Sequence, residues 1–144
     1  VSPQWAKEVT IVWAPDSKRL ALNYKADESS MLTALYQLCG EKWVALASPM
    51  NKQTSELVDR APSAELRKMH LPKNAHPSRD SITWEVTQWI DATTAVLYAY
   101  SSWSVDDVSD LGKHFLFTLK FDAKGNWKIV KTHQMSDAEI DYLH

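Results

Sequence analysis

The chain has 144 residues with a formal net charge of −2, 24% charged and 44% hydrophobic residues and one cysteine. That length fits a single domain over 1–144 that buries roughly 70% of the surface of its unfolded form, and the nearly neutral charge excludes the phosphate-neutralising surface that nucleic acid requires. Cys39 has no second cysteine to pair with, and no apolar run reaches the roughly 20 residues of a membrane-spanning helix.

Seven Trp, five Tyr and three Phe make an aromatic load suited to sheets, and three Gly leave little room for glycine-rich phosphate loops. Residues 8–13 alternate, with Val9, Ile11 and Trp13 on one face of a first strand. Pro15 presets the second position of a type I turn and Asp16 and Ser17 can bond the local backbone, so the chain reverses there into a second strand, 19–24, with Leu20, Leu22 and Tyr24 on one face. After a polar loop, 25–30, come a third strand, 32–38, a turn at Gly40 and a fourth strand, 43–46.

The pattern breaks from Ser48 to Pro77. Thr54 or Ser55 can cap a helix, and Pro62 predicts two short helices or a kink near 59–61. An irregular connection, 73–81, leads to a strand from Ile82 to Trp89 and an almost wholly apolar one from Thr94 to Tyr100. Residues 101–113 read as a polar, acidic loop. Phe115, Phe117, Leu119 and Phe121 then share a face of the strand 114–121, a turn at Gly125 leads into 127–131, and Ser136 with Glu139 makes a capping box for a last short helix.

The order of elements recurs: Trp13 corresponds to Trp89, Gly40 to Gly125 and Trp43 to Trp127, which predicts an internal repeat of 8–70 and 82–144. The fold class expected is mainly β, two antiparallel four-stranded sheets with a helical linker and a short C-terminal helix; the alternative is that the eight strands form one sandwich or barrel. The four paired tryptophans are expected in the core, whereas Trp5, Trp84 and Trp103 lack such pairing.

The segment Trp13-Ala14-Pro15-Asp16-Ser17-Lys18-Arg19-Leu20-Ala21 resembles the W-S-P-D-G-K-x-L-A signature of β-propeller blades of the TolB-like and WD40-like kind, with Ala for Ser and Ser for Gly. The element order, and the hairpin Phe121-Asp122-Ala123-Lys124-Gly125, also look like a group of exported bacterial proteins with a W-S-P-D-S segment. That likeness implies blade-like sheets and a periplasmic or exported location, and it brings no activity. Two units fall short of the four to eight blades of a ring. Val1 in place of an initiating Met leads us to expect a segment removed upstream.

Candidate chemistry is sparse. Trp103 flanks a loop in which Asp106, Asp107 and Asp110 precede Gly112, and these residues are the expected binding site, although their spacing does not match an EF-hand. The histidines at 70, 76, 114, 133 and 144 show no metal-ligand spacing, Cys39 reads as a packed thiol, and no cofactor or metal is expected. The function expected is a non-catalytic binding or interaction module. The alternative is a hydrolase or metal-dependent enzyme assembled from dispersed residues among His76, His114, His133, Asp91 and Asp106. Lys7, Glu8, Lys128 and Lys131 look like charges that guard outer strands, and the apolar central strands predict either self-association into a homo-oligomer or contact with a segment upstream of Val1.

Overall fold

A computed structural model describes residues 8–142; Trp5, Lys7 and His144 lie outside them. The first hairpin joins β1 (Val9–Trp13) to β2 (Arg19–Asp27). The Ser17 N–H donates to the Ala14 carbonyl at 2.9 Å, and Asp16 Oδ1 accepts from the Lys18 N–H at 3.0 Å. Pro15 thus reverses the chain as expected. Ser17 closes the turn at φ +60°, a left-handed conformation that carries no steric penalty only for glycine. β3 (Ser30–Cys39) and β4 (Lys42–Ala45) follow through Gly40 at φ +64°, which completes an antiparallel meander.

One helix, α1 (Lys52–Lys68), spans the segment where Pro62 argued for a break, and Asn51 caps it rather than Thr54 or Ser55. Asn51 Oδ1 accepts the Thr54 N–H and Thr54 Oγ1 accepts the Asn51 N–H, each at 3.0 Å, so two orphan donors of the first turn are satisfied. Burial of the Pro62 ring offsets its missing donor, and Ser63 Oγ donates to the Asp59 carbonyl nearby at 3.1 Å.

The second meander comprises β5 (Ser78–Asp91), β6 (Thr94–Val105), β8 (His114–Phe121) and β9 (Trp127–Gln134), with the short β7 (Val108–Leu111) paired to the end of β6. The expected loop 101–113 is therefore mostly a hairpin. Its polar start forms a strand because it pairs with an equally polar start of β5: Ser102 lies opposite Ser81, and Ser104 opposite Ser78. The last helix, α2 (Asp137–Tyr142), has the predicted capping box, with the Ser136 N–H donating to Glu139 Oε1 at 3.0 Å and the Glu139 N–H to Ser136 Oγ at 3.3 Å.

All nine strands belong to one mixed sheet in the order β1-β2-β3-β5-β6-β8-β9, with β4 beside β3 and β7 beside β6. The expectation of two separate four-stranded sheets is corrected by a parallel contact in which Ser30 and Met31 of β3 pair with Ile82 and Thr83 of β5. β4 is short and covers only Tyr36–Cys39 of β3, so the remaining edge of β3 is open to β5. The outermost strands are β1 and β9; of the guarding charges, Glu8 immediately precedes β1 and Lys128 and Lys131 sit on β9.

Beyond that contact β5 crosses beneath the first meander. The Asn23 amide donates to the Val86 carbonyl at 2.9 Å and its oxygen accepts the Val86 N–H at 3.0 Å, replacing a neighbouring strand at that point. Further on, the Trp89 indole N–H donates to the Val12 carbonyl at 3.0 Å. The sheet thus folds back on itself. Its core unites Trp84, Val86, Leu97, Phe117 and Leu119 of the second meander with Ala21 and Leu35 of the first and Val58 of α1.

Candidate functional site

Residues that face one another across an antiparallel ladder share a face, and the register of the first meander sorts its side chains by that rule. On the face turned toward the core stand Arg19, Ala21, Asn23, Thr33, Leu35 and Gln37, all buried. The opposite face is apolar throughout: Val9, Ile11 and Trp13 on β1 lie opposite Tyr24, Leu22 and Leu20 on β2. Those in turn face Leu32, Ala34 and Tyr36 on β3, and Trp43 on β4 faces Leu38. This apolar face is open to solvent, with Val9 and Ile11 at 46% exposure, Trp13 at 50% and Trp43 at 41%.

The expectation that the four paired tryptophans fill the core therefore holds for Trp89 and fails for Trp13 and Trp43. Trp13 and Trp43 stand on strands separated by β2 and β3, yet their ring centroids lie 5.6 Å apart in an edge-on contact. To meet, the indoles lean across the face, since three strand spacings amount to roughly 14 Å. Trp89 packs on Phe121 at 5.3 Å, and Trp127, half-buried, donates its indole N–H to the Ala47 carbonyl at 2.9 Å.

The polar residues of the inner face explain the inversion. Arg19 donates from Nε to Gln37 Oε1 at 2.9 Å, from Nη1 to the Ala92 carbonyl at 2.9 Å and from Nη2 to the Asp122 carbonyl at 2.8 Å. Its guanidinium carbon lies 5.6 Å from the centroid of the Phe121 ring. Gln37 Nε2 donates to the Ala123 carbonyl at 3.1 Å. These groups bind the two hairpin turns of the second meander, so burying the polar face satisfies main-chain acceptors that an apolar face would leave bare.

The residues expected to bind a ligand are placed as follows. Trp103 lies on β6 opposite Leu111 and Arg79, half-buried, with its indole N–H donating to Ser101 Oγ at 2.9 Å. Asp106 and Asp107 form the exposed β6–β7 turn, Asp106 with φ +52°, and Asp110 is exposed on β7 with φ +56°. The Trp103 indole thus bonds within its own strand. Among the described residues no group of three or more His, Cys, Asp or Glu side chains is arranged to hold a metal. Cys39, expected as packed, is exposed.

Of the residues named for an enzyme, His133, Asp91 and His114 have separate engagements. His133 Nε2 and Glu139 are paired at 2.9 Å, and Asp91 Oδ1 accepts the Thr93 N–H at 2.9 Å in a turn. His114 stacks on Tyr100 with centroids 3.8 Å apart and is hydrogen-bonded to the Tyr98 hydroxyl. This cluster stands on the outer face of the second meander, where Glu85 lies opposite Tyr98. Burial pushes the Tyr98 hydroxyl up to about 12, with Tyr100 and Glu85 adding to it, and burial also raises the Glu85 carboxyl.

Depressions at the surface include one of about 380 Å³ lined by Lys120, Phe121, Asp122, Asn126, Trp127 and Lys128. Another, of about 280 Å³, lies where β3 meets β5, beside Lys25, Glu28 and Glu85. No protein-family model, curated protein or solved structure matches the chain. The apolar outer face was half legible in the sequence: the alternation of Val9, Ile11 and Trp13 and of Leu20, Leu22 and Tyr24 marks it. Alternation alone does not say whether such a face points inward or outward. The signal for its direction is the opposite alternation, Arg19, Asn23 and Gln37, whose long polar side chains reach across to main-chain groups of the other meander.

Proposed function

We propose that the chain is a non-catalytic interaction module made of two related four-strand units, with the outer apolar face of β1–β4 as its binding surface. The observation that carries this reading is an uninterrupted apolar sheet face exposed on the tips of Ile11, Trp13 and Trp43. Apolar patches of this extent on a folded chain mark interaction surfaces, and tryptophan is enriched at the centres of such contacts. The blade-like signature at Trp13–Ala21 supports the same reading and leads us to place the protein outside the bacterial cytoplasm, which fractionation of the source cells tests.

The double variant Ile11→Thr/Leu22→Thr tests the surface itself. Threonine keeps the β-branched shape favoured in strands, so a docking face should leave stability within about 1 kcal/mol of the original. Binding of a hydrophobic reporter dye should fall several-fold. A variant that unfolds, or that binds the dye as before, would overturn the reading.

A further inference from the structure

We infer that the occupant of this face is a second copy of the chain, presenting the outer face of its own second meander, so that molecules stack head to tail as the two halves of one molecule already do. This deepens the proposed binding surface and rests on it.

The template is the contact inside the molecule. Trp13 ends β1 and lies opposite Leu20; Trp89 stands near the end of β5 and lies opposite Ala95. Trp43 lies opposite Leu38, and Trp127 opposite Phe121. Both meanders therefore carry their tryptophans on the corresponding face. In the second meander that face is covered, by the polar back of the first together with α1, whose Val58 joins the core. In the first it is bare.

The two meanders also point the same way. β5 runs parallel to β3, and Arg19, beside the turn of its own hairpin, reaches the turns at Ala92 and Asp122 of the other meander. Units related by such a shift, without inversion, offer the same pair of surfaces again at each end, which is a heterologous contact that repeats. The corresponding back of the second meander is the outer face of β6 and β8, with Val96 at its centre only 8% exposed. There Val96 lies opposite Thr118 and Tyr98 opposite Leu116, while Lys120 lies opposite Thr94. The two backs share a small or apolar centre (Ala21 and Leu35 there, Val96 and Leu116 here) and a cation at the turn end (Arg19 there; Lys120 here, bonded to the Thr93 and Thr94 hydroxyls), and differ in the Glu85, Tyr98 and His114 that the second also presents. Four strands and their side chains span roughly 20 Å by 20 Å, a flat footprint of about 400 Å², which places the contact at the small, weak end of specific interfaces and makes it concentration-dependent.

Sedimentation of two complementary variants tests the arrangement. Leu22→Lys disables the apolar face and Leu116→Lys disables the back; both introduce the same charge, so they create no new attraction, and Ile11→Lys with Thr118→Lys serves as a second pair if either variant fails to fold by circular dichroism. Wild-type mass should rise with concentration over the micromolar to millimolar range. Each variant alone should stay at 16.4 kDa, and their equimolar mixture should form a dimer and nothing larger. A Leu116→Lys protein that associates like wild type would indicate face-to-face pairing and overturn the proposal, as would a mixture of folded variants that stays monomeric. A wild-type protein monomeric throughout would overturn it too. In that case a monomer whose apolar face still takes up the dye leaves the binding-surface reading standing with a different partner, and one whose face does not would remove both.

Discussion

The guanidinium of Arg19 donates to the main-chain oxygen of Asp122 at 2.8 Å, joining residues 103 positions apart. Arg19 is 7% exposed and its hydrogen-bond acceptors are a side-chain amide and two carbonyls. A planar, forked cation suits this arrangement, because its donors diverge toward acceptors on separate turns. Arg19→Met should cost about 2–3 kcal/mol in urea unfolding, the lost charge-assisted bonds being partly offset by relief of a buried charge. Arg19→Lys should recover only part of that, since one ammonium cannot reproduce the fork.

Ser17 holds φ +60° at the position where the blade signature has glycine. Ser17→Gly should raise stability by about 1 kcal/mol by removing the left-handed penalty, with no change in the denaturant slope. A loss of stability would mean that the Ser17 side chain supports the turn in some other way.

Thr33 is 2% exposed and, among the described residues, its hydroxyl has no hydrogen-bond partner. Thr33→Val keeps the shape and removes the buried polar atom, so it should stabilise the fold by about 1 kcal/mol. Thermal unfolding measures this directly, and a lowered midpoint would contradict it.

Two groups set the pH limits in opposite directions. The Ser136 N–H, then the hydrogen bond from His133, hold the Glu139 carboxyl down at about 2. A depressed carboxyl stabilises above its ordinary value of 4.5 and loses that contribution as pH falls toward 2, so α2 should loosen in acid before the core does, visible as early hydrogen exchange in residues 137–142. Tyr98, raised from 10.0 to about 12, contributes stability below 10 that is lost as pH rises through 12. Burial raises the Tyr100 hydroxyl as well, so phenolate absorbance should show Tyr98 as the last tyrosine to titrate, a step abolished in Tyr98→Phe.

The local rules carried much of the fold. Pro15-Asp16 reversed the chain, Gly40 closed its hairpin, and Ser136 with Glu139 capped α2, because each depends on neighbours in sequence. What escaped were contacts decided at a distance. The joining of the two meanders into one sheet depends on how short β4 is, and the strand character of Ser101–Val105 depends on the polar start of β5. The outward direction of Trp13 and Trp43 follows from Arg19, Asn23 and Gln37 finding carbonyls and amides more than sixty positions away. Trp103 and the aspartates drew attention by composition, which does not encode the direction of an indole.

Hydroxyl-radical footprinting of the tryptophans, on dilute and on concentrated protein, tests the binding surface most directly. Trp13 and Trp43, 50% and 41% exposed, should oxidise readily in dilute solution and become protected as the protein is concentrated, while Trp84 and Trp89, at 1% and 9%, stay unmodified throughout. Protection of Trp13 and Trp43 already in the dilute monomer would show that the apolar face is covered by the chain itself and would contradict its assignment as a binding surface.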